Sequence, residues 1–75
     1  MTLDKGSFRK KFGAHIASLR EKKKMTQSQL ARLCGKDAQS LHKLENGDFA
    51  PTIIYLYEIA KALDVPLWKV CDFEL

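Results

Sequence analysis

The stretch Met25–Gly47, MTQSQLARLCGKDAQSLHKLENG, predicts two short amphipathic helices joined by a tight turn. Thr26 and Gln29 have the spacing of a capping box, in which each side chain bonds the backbone N–H of the other residue. Gly35 is the residue most able to adopt a positive φ and end the first helix. Asp37 is an N-cap candidate for the second helix. The stretch therefore predicts a helix-turn-helix.

The second of these helices has one apolar and one polar side. At about 100° per residue, Leu41 and Leu44 point in one direction. The roughly opposite side carries amide and cationic side chains, which are Gln39, His42, Lys43 and Asn46. Such groups can reach base edges or phosphates in a DNA major groove. A face that is merely solvated explains the same pattern, because most amphipathic helices leave one side in water.

The ordered motifs around this stretch resemble the phage Cro and repressor helix-turn-helix family, also called the XRE family. The matching pieces lie between about Phe12 and Val70 and are Leu19-Arg20, Thr26-Gln27, Leu30-Ala31, Gly35, Leu41, Leu44-Glu45-Asn46-Gly47, Pro51-Thr52, Ile59-Ala60-Lys61-Ala62-Leu63 and Val65. The resemblance implies an all-α fold, a compact five-helix repressor-like domain with a central helix-turn-helix. It implies double-stranded DNA as the partner and sequence-specific transcriptional regulation as the function.

The resemblance also implies roles for individual residues. Residues 38–45 become the recognition helix, with Gln39 as the best base reader because an amide can bond adenine bidentately. Arg20 on the first helix and Glu45 form a structural ion pair that braces the recognition helix. The predicted DNA-binding residues are Gln27, Lys36, Ala38, Gln39, Ser40, His42, Lys43 and Asn46.

Several of these positions have expected roles away from the bases. Gln27, at the first turn of its helix, is expected to position a phosphate, and Asn46 resembles a phosphate ligand of the family. Ala38 stands where family members often have a polar reader, and it can contact only a group such as a thymine methyl. Lys36 is charged where the family is usually apolar. Lys24 replaces a family glycine, so a left-handed residue is expected there.

The composition is that of one ordinary globular domain. The chain has 75 residues, of which 45% are hydrophobic and 29% charged. We interpret residues 1–6 as a mobile N-terminal arm and residues 7–75 as the DNA-binding domain. No apolar run approaches the roughly 20 residues that span a bilayer, and no apolar signal core follows the first charges. We therefore expect a cytoplasmic protein with no membrane partner.

The net charge of +4 is unevenly distributed along the chain. Residues 1–24 carry eight basic and two acidic side chains, whereas the rest of the chain carries five basic and seven acidic ones. This asymmetry favours an anionic partner near the first helix and its exit. A basic surface alone would fit either a nucleic acid or a membrane.

Catalytic and metal chemistry have no recognisable pattern in this sequence. Cys34 and Cys71 are not spaced as a CxxC pair, and we interpret both as buried free thiols. His15 and His42 have no nucleophile or carboxylate at a recognisable spacing. The sequence therefore predicts no enzyme activity, no metal site and no cofactor.

Beyond the motif, two more helices are expected. Thr52 is an N-cap candidate for a helix over Ile53–Leu63, in which Ile53, Leu56, Ile59, Ala60 and Leu63 have core spacing. Pro66 suits the first turn of a fifth helix that carries Leu67, Trp68 and Val70. The apolar residues that finish the chain either fold back on the monomer or pack in a symmetric dimer.

A homodimer on a palindromic operator is the expected assembly. A monomer would read only about four to six base pairs, so useful specificity needs two half-sites about 34 Å apart. The dimer surface stays open between the Ile54–Tyr57 surface and the C-terminal helix. The alternative function is an antitoxin-like or other protein-interaction module of the same fold, with a protein partner in place of DNA.

Overall fold

The computed structural model describes residues 4–75, and all of their regular structure is helical. The five helices are α1 Lys5–Lys22, α2 Gln27–Leu33, α3 Ala38–Glu45, α4 Ile53–Leu63 and α5 Leu67–Val70. The predicted all-α, five-helix fold is confirmed, with α2 and α3 forming the helix-turn-helix. Among the helices of residues 4–75, none has the length and apolar character needed to cross a membrane.

Side-chain caps start the helices where the sequence predicts them. The Thr26 hydroxyl accepts from the Gln29 N–H at 3.1 Å, and the Gln29 side chain accepts from the Thr26 N–H at 2.8 Å. Asp37 accepts from the N–H of Ser40 at 2.8 Å. Thr52 starts α4 in the same way, accepting a backbone N–H three residues later at 3.1 Å. The caps satisfy N–H groups that have no partner inside their helices.

The first helix begins earlier than the sequence analysis expected. Asp4 has extended backbone angles, and its carboxylate accepts from the N–H of Ser7 at 3.1 Å. Lys5 and Gly6 are therefore helical, although we had assigned them to the mobile arm. The rest of that arm, residues 1–3, lies outside the described residues. Asp4 is the sequence signal for this earlier start, since aspartate is a favoured N-cap residue whose carboxylate can accept the N–H of the residue three positions later.

A left-handed residue lies in each of the four connections between the helices. Gly35 after α2 has φ 68° and Gly47 after α3 has φ 81°. Lys24 has φ 58°, as expected from its place in the motif, and Asp64 at the end of α4 has φ 57°. A left-handed residue with a Cβ costs about 1 kcal/mol, so Lys24 stores mild strain in the turn before α2.

The core takes buried side chains from all five helices, namely Phe12, Ile16, Leu19, Leu30, Ala31, Cys34, Leu41, Leu44, Tyr55, Ile59, Ala60, Leu63 and Val70. The expectation that Ile53 joins it is wrong, because that side chain is 61% exposed. Tyr55 takes the place instead, at 3% exposed. Tyr55, Ile59 and Leu63 are spaced by four residues and form the buried row of α4, so Ile53 points away from the core.

Gly13 lets α1 and α3 approach closely. A Cβ at this position would lie 2.5 Å from the carbonyl oxygen of Leu44 and 2.7 Å from the carbonyl carbon of Glu45. Both atoms belong to the backbone at the end of α3. The contact fixes the end of α3 against the middle of α1, and only glycine fits there.

The segment after α5 folds back onto α1. The ring of Phe73 packs against Phe8, Phe12 and His15, with ring centroids 5.5, 5.7 and 5.5 Å apart. A ring nitrogen of His15 also lies 2.8 Å from the backbone oxygen of Lys69. Of the two alternatives for the apolar end of the chain, Phe73 therefore packs on the monomer.

The two cysteines differ in exposure. Cys34 is buried as expected, but the same expectation for Cys71 is wrong because its side chain is exposed. Burial raises the pKa of the Cys34 thiol from 9.0 to about 11, with a smaller contribution from the negative charge of Glu58. Since the unfolded thiol ionises at the lower pH, this group's contribution to stability is present below pH 9 and is lost as pH rises toward 11.

We expect iodoacetamide at pH 8 to alkylate Cys71 and to spare Cys34 in the folded protein. The thiolate is the reactive form, and Cys34 is both inaccessible and held protonated. Intact-protein mass spectrometry should show one adduct without denaturant and two in urea. Two adducts forming at equal rates in the native protein would contradict the burial of Cys34.

Candidate nucleic-acid interface

A buried network of hydrogen bonds joins the first three helices around Glu45. Arg20 of α1 donates to the Glu45 carboxylate through Nε at 2.8 Å and through Nη2 at 3.1 Å. Gln27 of α2 donates its amide to the same carboxylate at 2.8 Å. The third guanidinium nitrogen of Arg20 donates to the backbone oxygen of Met25 at 2.7 Å. The side chain of Glu45 is 5% exposed and that of Arg20 is 13% exposed.

This network fixes α3 relative to α1 and α2. The bidentate arrangement sets the direction as well as the distance between Arg20 and Glu45. The hydrogen bond to Glu45 raises the pKa of Arg20 above its ordinary value, burial acts in the opposite direction, and the charges of Glu45 and Glu21 add to the rise. Arg20 therefore stays charged, and all three of its guanidinium nitrogens donate hydrogen bonds.

Gln27 is expected to position a phosphate, and in the structure its side-chain amide donates to Glu45. The side chain is half-buried between α2 and α3. The amide nitrogen carries two hydrogens, so it can donate one to Glu45 and keep the other for a phosphate. In the structure described here, Gln27 acts as part of the brace.

The polar side of α3 faces away from the core. Gln39, His42, Lys43 and Asn46 are exposed, whereas Leu41 and Leu44 are fully buried on the opposite side. The side-chain nitrogen of Asn46 lies 3.0 Å from Nε2 of His42. When the Asn46 amide donates this bond, Nε2 accepts it and the ring carries its proton on Nδ1. The face therefore combines two amides and an imidazole with a cation.

Two other predicted residues contact Tyr55 of α4, and a third is half-buried. Ser40 is half-buried, and its hydroxyl lies 3.5 Å from the hydroxyl of Tyr55. The Lys36 ammonium lies 5.4 Å from the centre of the Tyr55 ring, over its face. Ala38 is half-buried at the start of α3. Lys36 and Ser40 thus each have a contact on α4, while Ser40 also borders the exposed row that contains Gln39 and Lys43.

Tyr55 is a structural residue of the site that the sequence analysis missed. Its ring packs against Phe49 of the loop after α3, with centroids 6.1 Å apart. Burial raises the pKa of its hydroxyl, while the hydrogen bond with Ser40 acts in the opposite direction. Its four-residue spacing to Ile59 and Leu63 is compatible with a place on the buried row of α4, but a row through Ile53 has the same period.

A shallow hollow lies beside the exposed row. Its volume is about 270 Å³, and it is lined by Asp37, Gln39, Ser40, Lys43 and Phe49. The hollow brings an amide, a cation and an aromatic edge to the N-terminal half of α3. These groups can contact base edges and the sugar-phosphate backbone. Residues 4–75 contain no cluster of side chains suited to hold a metal ion.

Comparisons with known proteins agree with this arrangement. A protein-family model described as helix-turn-helix matches residues 16–67. An uncharacterised HTH-type transcriptional regulator of Sinorhizobium fredii is 44% identical over 57 residues, which cover 76% of this chain and 74% of the relative.

Two solved structures have a similar fold over most of the chain. The restriction-modification controller protein C.AhdI from Aeromonas hydrophila has a TM-score of 0.83 at 28% identity, covering 85% of this chain and 97% of that one. The clp gene regulator ClgR from C. glutamicum has a TM-score of 0.79 at 27% identity, covering 84% of this chain and 82% of that one.

Proposed function

Because this chain belongs to the Cro- and repressor-like helix-turn-helix family, we propose that it reads a palindromic DNA site as a homodimer, with α3 as the recognition helix. The chain is a DNA-binding transcriptional regulator of that family. A DNA-binding regulator acts in the compartment that holds the DNA. In bacteria, from which its relatives come, that compartment is the cytoplasm, and we place the protein there.

The observation that carries the proposal is the exposed row on a rigidly held α3. Leu41 and Leu44 anchor the helix in the core, and the Glu45 network fixes its C-terminal end. Gln39 and Lys43 are exposed on the opposite side. A helix that is already held in place, with free donors and acceptors on its exposed side, can enter a major groove without a further cost for ordering the helix.

Within that row, Gln39 has the chemistry of a base reader. Its amide both donates and accepts, which matches the N6 and N7 groups of adenine. Lys43, one turn later, can reach a guanine edge or a phosphate as a point charge. Asn46 stands at the end of the helix, where we assign it to a phosphate, and its bond to His42 orients the amide.

The homodimer would use apolar side chains that α4 and α5 leave exposed. Ile53, Ile54 and Tyr57 on α4 are 61%, 64% and 51% exposed, and Trp68 on α5 is 64% exposed. Large apolar side chains in water favour association. The same side chains support the alternative function, an antitoxin-like or other protein-interaction module, because a protein partner could cover them as well as a second copy.

Selection of bound duplexes from a random DNA pool at about 150 mM salt tests the function. For the wild-type protein we expect a palindromic site. For Gln39→Ala we expect the preference to relax at one position of each half-site, by roughly 5- to 100-fold in relative affinity, because one bidentate contact is lost. Lys43→Ala should weaken binding, and Lys11→Ala on α1, whose ammonium bonds the backbone oxygen of Leu75, serves as the control for loss of a charge elsewhere.

The possible outcomes separate the two functions. A site whose preferences are unchanged in Gln39→Ala would remove Gln39 from base reading while leaving DNA binding intact. Failure of the wild-type protein to retain any duplex at any salt concentration would contradict the DNA-binding proposal and favour a protein partner.

A further inference from the structure

Arg9 of α1 lies at the C-terminal end of the recognition helix. Its Nε donates to the backbone oxygen of Gly47 at 3.3 Å, across 38 residues of sequence. Gly47 directly follows Asn46, the residue that ends α3. The bond therefore places the Arg9 guanidinium of α1 next to Asn46, which is the expected phosphate ligand at the end of α3.

The backbone holds this arrangement in place. Gly47 has φ 81°, and a Cβ there would lie 2.9 Å from both the backbone nitrogen and the Cα of Lys10. The first half of α1 thus packs directly on the turn after α3. Because Gly13 makes a similar contact one turn further along α1, the two elements cannot slide past each other.

The remaining donors of Arg9 have no partner within residues 4–75. Only its Nε makes a hydrogen bond in this part of the chain, and no carboxylate there lies within 4.0 Å of the guanidinium. Arg9 is half-buried, so its stem is packed while the head is anchored at one nitrogen. An arginine held in this way presents its two Nη groups in a fixed direction at little further cost in side-chain entropy.

Other basic side chains accompany Arg9 on the first half of α1. Arg9 and Lys5 line a hollow of about 330 Å³ that is closed by Phe8, Ala50 and the capping residue Asp4. The Asp4 carboxylate already accepts from the Ser7 N–H. Residues 4–13 carry four basic side chains, Lys5, Arg9, Lys10 and Lys11, against the one acidic side chain of Asp4, so this end of α1 has a net positive charge.

We propose that Arg9 binds a phosphate of the DNA backbone at the C-terminal end of the recognition helix, next to Asn46. This inference rests on the proposed DNA-binding function and adds a contact from α1 to it. A guanidinium fork matches two phosphate oxygens. The contact fixes the register of α3 in the groove and carries no base preference. The ligand is a phosphodiester, since a guanidinium on the flank of α3 reaches the strand rather than the base edges.

The test measures the salt dependence of binding to the selected duplex for wild-type protein, Arg9→Gln and Lys11→Gln. Lys11 is the matched control, because it lies on the same helix and its ammonium bonds the backbone oxygen of Leu75 on another side. For Arg9→Gln we expect roughly tenfold weaker binding at low salt, a slope of log affinity against log salt reduced by about 0.9 per protomer, and unchanged base preferences. Lys11→Gln should keep the wild-type slope.

A second measurement separates a lost contact from a loosened fold. Single phosphates around the half-site are replaced in turn by neutral methylphosphonates, and affinity is measured for wild-type protein and Arg9→Gln. One flanking replacement should weaken the wild-type complex and leave the Arg9→Gln complex unchanged. Equal weakening of both proteins at every phosphate would overturn the assignment of Arg9. Absence of duplex binding by the wild-type protein would instead overturn the DNA-binding function itself.

Discussion

Replacing Gly13 by alanine is expected to lower the free energy of unfolding by about 3 kcal/mol or more, one of the largest effects of any single methyl group in this chain. The new Cβ would lie 2.5 Å from the Leu44 carbonyl oxygen and 2.7 Å from the Glu45 carbonyl carbon. Neither atom can rotate away as a side chain could. Relief requires α1 and α3 to separate, which would also disturb the adjoining bonds to Glu45.

The loss is large relative to the stability of so small a domain. A chain of 75 residues holds roughly 4–11 kcal/mol, and a loss of 3 kcal/mol lowers the melting temperature by roughly 12–24 °C. Circular dichroism during heating and urea denaturation would both measure the effect. Because α3 must move, DNA affinity should fall together with stability.

Gly6→Ala is the matched control for this prediction. Gly6 lies in the same helix, but among residues 4–75 a Cβ there would meet only the Asp4 carboxylate, at an ordinary contact distance of 3.4 Å. Alanine is the better helix former by up to about 1 kcal/mol, so this substitution should stabilise the protein. If Gly13→Ala and Gly6→Ala changed stability in the same direction, the close approach of α1 and α3 would not explain the glycine.

The features that the sequence predicted well are local ones. Thr26, Asp37 and Thr52 each bond a backbone N–H three residues later, so their effect can be inferred from spacing alone. The bounds of α4 matched for this reason. The positive φ of Gly35 likewise follows from the need to end one helix and turn before the next.

The features that it missed depend on how the helices are rotated against one another. The row Tyr55, Ile59 and Leu63 and a row through Ile53 have the same period on α4, and packing alone decides which one is buried. The Arg9–Gly47 contact joins residues 38 positions apart. Such contacts follow from the assembled fold, and neither composition nor spacing indicates them.

The candidate site divides in the same way. The exposed row of α3 could be inferred from helical periodicity, because the buried Leu41 and Leu44 fix the direction of the other side. The positions of Lys36 and Ser40 could not, since both depend on Tyr55, which reaches them from α4. Gln27 lies on the brace because the approach of α2 to α3 brings its amide to Glu45.

Removing the carboxylate at the centre of that brace, Glu45→Ala, is expected to destabilise the protein by about 3 kcal/mol. The substitution leaves the Arg20 guanidinium only 13% exposed and without its charged partner. It also takes the acceptor from the Gln27 amide. A buried charge that loses its partner costs more than the pair contributed, because its desolvation is no longer offset.

A double-mutant cycle separates the interaction between Arg20 and Glu45 from the contribution that each residue makes on its own. Replacing both residues, Arg20→Leu with Glu45→Leu, removes the unpaired charge and fills the space with apolar atoms, so this variant should lose less stability than Arg20→Leu and Glu45→Leu lose in sum. Urea denaturation would measure the free energy of unfolding of the wild type, the two single variants and the double variant, provided that the m-value is unchanged. Additive losses would mean that Arg20 and Glu45 stabilise the fold independently of each other. DNA affinity should nevertheless stay low in the double variant, because apolar packing restores stability without the bidentate geometry that directs α3.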